Sequence, residues 1–199
     1  MLIKICGLTH PETARLAAIN GADYIGLLFS AVSPRQISLD LAKQIAKSAR
    51  EGGAEVVGVF VDETLAQMQH IIKELNLQVV QLHGDKVRGM CHLLDASLQI
   101  IYVADGKELP AHLDPYRDFL LFEKITPDTH TKFRYFIAGK LDSNNVLTKI
   151  QDYSPAGVDL STGVESSLAV KDINKIIEFI RIVRPERFGH FGGRYVPEL

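Results

Sequence analysis

Cys6 closes the apolar run Leu2 to Cys6, and a cysteine at such a point can do acid–base chemistry. A thiolate there accepts a proton when nearby cations or amides lower its pKa. The alternative is an inert packed residue, since free cysteines are among the most buried side chains. Ser161-Thr162-Gly163 follows the run Gly157 to Leu160, and Gly139 follows Tyr135 to Ala138. Backbone N–H groups from two such turns can converge on one anion, because unpaired amides carry partial positive charge and glycine allows close approach. That is the chemistry of a phosphate site, with ordinary turn glycines and a serine cap as the plain alternative. Arg35, beside Pro34, presents either a planar fork suited to a carboxylate or a solvated surface cation. His83 follows Gln78 to Leu82 and is equally readable as a structural histidine. The other polar residues directly behind apolar runs are Asp62, Glu123, Lys140 and Asp159.

These residues need a frame that gathers strand ends. Eight short β-rich runs recur along the chain: Leu2 to Cys6, Asp23 to Phe29, Val56 to Phe60, Gln78 to Leu82, Gln99 to Val103, Phe119 to Phe122, Tyr135 to Ala138 and Gly157 to Leu160. Several are apolar nearly throughout, as strands covered on both faces must be. Pro11 to Asn20, Leu39 to Glu51, Leu65 to Leu75 and Val170 to Val183 carry apolar residues at helical spacing. Thr9 and Ser38 are placed as N-caps, and Gly21, Gly52 and Gly53 stand where helices should stop. Strands alternating with helices predict a parallel sheet, and eight units of about 25 residues sit at the lower limit of a (β/α)8 TIM barrel. In such a barrel the active site lies at the C-terminal ends of the strands, where the polar residues named above fall. Glu123 to Arg134 shows no amphipathic pattern, so the helix after the sixth strand is expected to be missing or reduced.

With 199 residues, 46% hydrophobic and 23% charged, the chain reads as one domain. A formal net charge of -2, without a basic stripe, argues against a nucleic-acid partner. No apolar run reaches the roughly 20 residues of a membrane helix, and the start is too short for a signal peptide. Two cysteines, Cys6 and Cys91, lack the spacing of a disulfide framework or zinc site, which fits a cytoplasmic protein with no metal.

Lys4-Ile5-Cys6-Gly7-Leu8-Thr9 resembles the opening of phosphoribosylanthranilate isomerases. Gly21 to Gly26 and Ser33 to Ser38 resemble the family's second strand and loop, Val57 to Val61 its third strand and Val80 to Gly84 its fourth. Ala138 to Val146 and Gly157 to Glu165 resemble its seventh and eighth. The likeness spans about residues 1 to 183. It implies a cofactor-free Amadori rearrangement on a small phosphoribosyl substrate, a step of tryptophan biosynthesis. A carboxylic acid protonates the ring oxygen and opens the furanose; a cysteine then removes the C2 proton. Cys6 matches that base. By the same resemblance Arg35 would grip the anthranilate carboxylate, His83 and Asp159 would help hold the substrate, and Gly139, Lys140, Ser161, Thr162 and Gly163 would hold the phosphate. Lys140 stands where the family usually has a second glycine, so it either adds a cation or obstructs the backbone's approach.

The family's acid is an aspartate in a Leu-Leu-Asp context, whereas Leu120-Leu121 is followed here by Phe122. Glu123 is the adjacent substitute, and alternation counted from Phe122 would aim it away from the mouth unless the chain turns there. The glycine-rich loop and helix that follow in the family, expected to cover the substrate, are replaced by a short run. Two functions therefore stand side by side: an isomerase using Cys6 and Glu123, and a non-catalytic phosphate-binding relic. The segment Phe188 to Leu199 resembles the beginning of the tryptophan synthase β chain. It implies a fusion boundary or gene junction, an exposed tail over 185–199 outside a barrel of residues 1–184, and contact with another tryptophan-pathway protein.

Overall fold

The computed structural model describes residues 1–104, 106, 108–126 and 131–185. Eight parallel strands close on themselves in chain order: β1 (Leu2–Cys6), β2 (Tyr24–Leu28), β3 (Glu55–Phe60), β4 (Val79–Leu82), β5 (Gln99–Val103), β6 (Phe119–Phe122), β7 (Arg134–Ile137) and β8 (Gly157–Leu160). The ring is sealed where β1 meets β8, with Lys4 opposite Asp159. The fold is thus the expected (β/α)8 TIM barrel.

Both strand faces are covered. Val57, Val59, Ile101, Phe119, Leu121 and Phe136 fill the interior with Cys6. Ile3, Ile5, Leu27, Val80, Leu120 and Phe122 face the helices on the outside. Side chains alternate across a strand, so each residue's parity decides whether it reaches the barrel's mouth or its jacket.

The jacket contains α1 (Pro11–Asn20), α2 (Leu39–Glu51), α3 (Leu65–Leu75), the short α4 (Asp85–Gly89), α5 (Val146–Tyr153) and α6 (Ile173–Val183). Ser38 caps α2 by accepting from the Leu41 amide. Thr64 and Gln67 form a capping box on α3, satisfying amides that the first turn leaves unpaired. Gly21 ends α1 at φ +119, a conformation that costs a residue without Cβ little.

Two boundaries differ from expectation. Thr9 is not the cap of α1: extended His10 takes that position, Pro11 opens the helix, and the Thr9 hydroxyl donates to the Ala169 carbonyl at 3.2 Å. The last helix does not begin at Val170. Val170–Lys171 (β10) pairs antiparallel with Glu165–Ser167 (β9), and Asp172 then caps α6 by accepting from the Asn174 and Lys175 amides. The apolar stripe was read correctly, but the hairpin and cap set its start.

Among the described residues between β6 and β7 there is no helix. Of the expected tail over 185–199, all but Pro185 lies outside the described residues. No described helix is long and apolar enough to cross a membrane.

Candidate active site

A cavity of about 360 Å³ opens at the carboxyl ends of the strands. It is lined by Cys6 from β1, Arg35 after β2, His83 after β4, Glu123 after β6, Gly139 and Lys140 after β7, Asp159 on β8, and Ser161 and Thr162 after β8. Nearly every residue singled out from the sequence therefore meets the others in one place. Gly163 stands behind this wall, where an added Cβ would run into the Leu141 carbonyl, so its role is to let the β7 and β8 loops touch. Gly139, at φ +82, likewise leaves room for the Glu123 carbonyl, which a Cβ would approach to 2.5 Å. Val61 lines the cavity, whereas Asp62 does not.

Cys6 is 8% exposed and shares the barrel floor with a buried ion pair that sequence reasoning missed. Lys4 Nζ donates to both Asp159 carboxylate oxygens at 2.9 Å. Burial pushes the Cys6 thiol up, while Lys4 pulls it down and Asp159 adds to the rise. Burial also raises the Asp159 carboxyl against the opposing effect of Lys4. The missed signal was parity: Lys4 lies two residues before Cys6 in an apolar run, and a lysine on the inner face needs a buried partner.

Glu123 faces the cavity, contrary to the alternation counted from Phe122. The correct origin is Leu121, which points inward; Phe122 points outward and packs its ring 5.6 Å from that of Tyr135. Two residues beyond Leu121 the chain returns to the inner side. Glu123 Oε2 lies 3.6 Å from His83 Nε2, and this contact holds its carboxyl below the usual range against the partial desolvation that opposes it. Gln81, inside β4, brings its side-chain amide nitrogen to 3.5 Å from His83 Nδ1.

Arg35 reaches the cavity but arrives with a partner. Its Nε and Nη2 donate to the two Glu165 oxygens at 2.6 and 2.9 Å. Lys171 Nζ donates to the same carboxylate at 2.8 Å, to the Ser161 carbonyl at 2.8 Å and to the Ser161 hydroxyl at 3.2 Å. Burial alone would raise the Glu165 carboxyl; Arg35 and Lys171 instead hold it down at about 2. Neither Glu165 nor Lys171 was picked out from the sequence, the latter because it was assigned to a helix.

Among the described residues no cluster of three or more His, Cys, Asp or Glu side chains could hold a metal ion. The cavity brings a thiol and a carboxyl, groups able to transfer protons, together with the cations and turn amides of its wall.

A closed eight-stranded parallel barrel with acid–base groups at the carboxyl ends of its strands defines the class of (β/α)8-barrel enzymes. The family model described as N-(5'phosphoribosyl)anthranilate (PRA) isomerase matches residues 3–122 and 117–182, two stretches that meet at β6. The chain belongs to this family. It is 38% identical over 194 residues to an N-(5'-phosphoribosyl)anthranilate isomerase of Streptococcus mutans, covering 92% of this chain and 98% of that protein. A Chlamydia felis protein of the same name is 36% identical over 181 residues, covering 83% and 87%. Among solved structures, the isomerase from Thermotoga maritima superposes with a TM-score of 0.78 at 27% identity, covering 93% of this chain and 99% of that one. A phosphoribosyl anthranilate isomerase in complex with reduced 1-(o-carboxyphenylamino)-1-deoxyribulose 5-phosphate gives 0.78 at 26% identity, covering 93% and 100%.

Proposed function

We propose that this chain catalyses the Amadori rearrangement of N-(5-phosphoribosyl)anthranilate to 1-(2-carboxyphenylamino)-1-deoxyribulose 5-phosphate, a step of tryptophan biosynthesis, without a cofactor. The observation that carries this reading is the meeting of Cys6 and Glu123, from β1 and β6, at one cavity in a chain of this family. Glu123 in its acid form protonates the ring oxygen and opens the furanose. Cys6 as thiolate takes the C2 proton, and the electron pair left behind spreads to the anilino nitrogen. His83, whose Nε2 lies 3.6 Å from Glu123, orients that carboxyl toward the cavity.

Gly139, Lys140, Ser161 and Thr162 supply amides, a hydroxyl pair and a cation for the phosphate, with Gly163 holding the two loops together. Anchoring this remote group is useful because orientation removes several kcal/mol from a barrier. Arg35 receives the anthranilate carboxylate through Nη1, which makes no bond among the described residues while Glu165 holds Nε and Nη2. Asp159 faces the sugar from the floor. Glu123 on the inner side favours the isomerase over a non-catalytic relic.

Purified protein supplied with freshly made phosphoribosylanthranilate should consume its fluorescence far faster than the spontaneous rate. Cys6→Ala should abolish that acceleration; a wild-type rate equal to the uncatalysed one overturns the reading. The resemblance of Phe188 to Leu199 to the start of tryptophan synthase β supports the same pathway, and we read it as a contact point for another protein of that pathway. Two unpaired cysteines fit action in the cytoplasm.

A further inference from the structure

We propose that Lys4 is a positioning residue for the base: its buried ammonium, clamped by Asp159, stands beside Cys6 Sγ and holds the thiolate that takes the C2 proton. This inference rests on Cys6 being the base. Lys4 is 0% exposed, and a buried ammonium keeps its proton only when paired. Asp159, with both oxygens 2.9 Å from Nζ, supplies the pairing. An ammonium carries three donors, so two bonds to the carboxylate leave one for the sulfur.

Gly26, opposite Cys6 on β2, makes the approach of the two heads feasible. A Cβ at this position would stand 2.8 Å from Cys6 Sγ and 3.2 Å from Lys4 Nζ, so both heads crowd the space that a side chain would fill. Stability does not call for a charge pair here. The same interior is filled elsewhere by Val57, Val79 and Phe136, and well-packed apolar residues commonly serve as well as a buried ion pair.

The charge count explains its use. Thiolate, ammonium and carboxylate together carry one negative charge. When Sγ takes the C2 proton that charge is neutralised, and the electron pair of the broken C–H bond passes into the substrate. Around Cys6, Asp159 on β8 disfavours the thiolate, whereas Lys4 on β1 and Lys171 on β10 favour it. Arg35, in the loop after β2, lies within the same field, and Glu165 pairs with both it and Lys171. Lys4 is the cation that opposes burial most strongly.

The test is alkylation of Cys6 by iodoacetamide as a function of pH in the free protein, in a Cys91→Ala background. Cys91 is buried with its thiol pushed up to about 11, so removing it leaves one reporter. Lys4→Met should displace the rate curve to higher pH and slow alkylation at neutral pH at least ~10-fold, because only the thiolate reacts. The same variant should lower kcat by a similar factor with KM changed less than ~3-fold. Should Lys4→Met fail to fold, Lys4→Met with Asp159→Leu removes both charges, and its alkylation curve should also move up. An unmoved curve in a folded variant overturns the proposal. A moved curve in a protein that turns over no substrate would instead leave the Lys4–Cys6 coupling standing and sink the isomerase reading.

Discussion

Arg35 and Glu165 are separated by 130 residues and joined by two hydrogen bonds, 2.6 and 2.9 Å long, that tie the loop after β2 to the hairpin after β8. Lys171 completes the tie at 2.8 Å and carries it to Ser161. One carboxylate thus fixes both the Arg35 fork and the Ser161 turn, the two groups proposed to receive the substrate's aromatic end and its phosphate.

Glu165→Gln tests this tie through pH. The folded carboxyl titrates at about 2, below its ordinary 4.5, so it contributes stability that is fully present above the ordinary value and lost as pH falls through the folded one. The wild type should exceed the variant by on the order of 2 kcal/mol near neutrality, with the gap closing between about pH 4.5 and 2. Urea unfolding of both proteins at several pH values reads it; a gap unchanged at pH 2 would show that the charge is not its source.

Cys6 and Glu123 have their resting protonation states reversed with respect to the roles proposed for them. The thiol is raised and the carboxyl lowered, so the working pair, thiolate with carboxylic acid, is the minor tautomer. Its share is constant between the two titrations and falls outside them. A broad plateau in kcat/KM is therefore expected, losing its acid side as Glu123 protonates with Cys6 still a thiol, and its alkaline side as both lose their protons. His83→Gln removes the chief cause that lowers Glu123, so the acid limb should move to higher pH while the alkaline limb stays. Rates measured across pH check this, and an unmoved acid limb would remove His83 from the pair.

Much of this was legible from period and punctuation. A strand run ending in Cys6 and runs followed by Gly139 and Ser161 marked the mouth because a parallel barrel gathers its carboxyl ends, and Ser38 announced its helix through its own hydroxyl. Residues whose roles depend on parity or on distant partners were misread or passed over. Glu123 reaches the inner face because Leu121, not Phe122, is the inward-pointing residue before it. Lys4 and Glu165 acquire meaning only from Asp159 and Arg35, 155 and 130 positions away. Lys171 was hidden by a helix pattern that began three residues too early.

Gly163→Ala and Lys140→Ala separate shape from charge at the turns proposed to hold the phosphate. A methyl at Gly163 meets the Leu141 carbonyl, which is backbone and must shift, pulling the two turns apart. Lys140 is exposed at φ +54 and can lose its side chain without disturbing the fold. Lys140→Ala should raise KM roughly 3- to 10-fold, the weight of one charge-assisted contact, with kcat kept. Gly163→Ala should raise KM further and weaken binding of inorganic phosphate measured by calorimetry. Equal phosphate affinity in the wild type and both variants would move the anion site elsewhere.

Phe122→Asp puts an aspartate directly after Leu120-Leu121, as in the family's motif, and decides between the two ways of counting β6. If position 122 were the acid's place, the substitution would restore activity to a Glu123→Ala protein. The barrel instead turns Phe122 outward, 8% exposed, against Tyr135 and the helical jacket. An aspartate there is a buried carboxyl without a cation, and the lost ring leaves a void. Destabilisation of about 3 to 5 kcal/mol is expected from the void alone, read as a lower urea midpoint. Turnover of the folded double variant should stay about 10²- to 10⁴-fold below wild type, the weight of a missing proton donor. Recovery of the wild-type rate in that protein would return the acid to position 122 and strip Glu123 of its role.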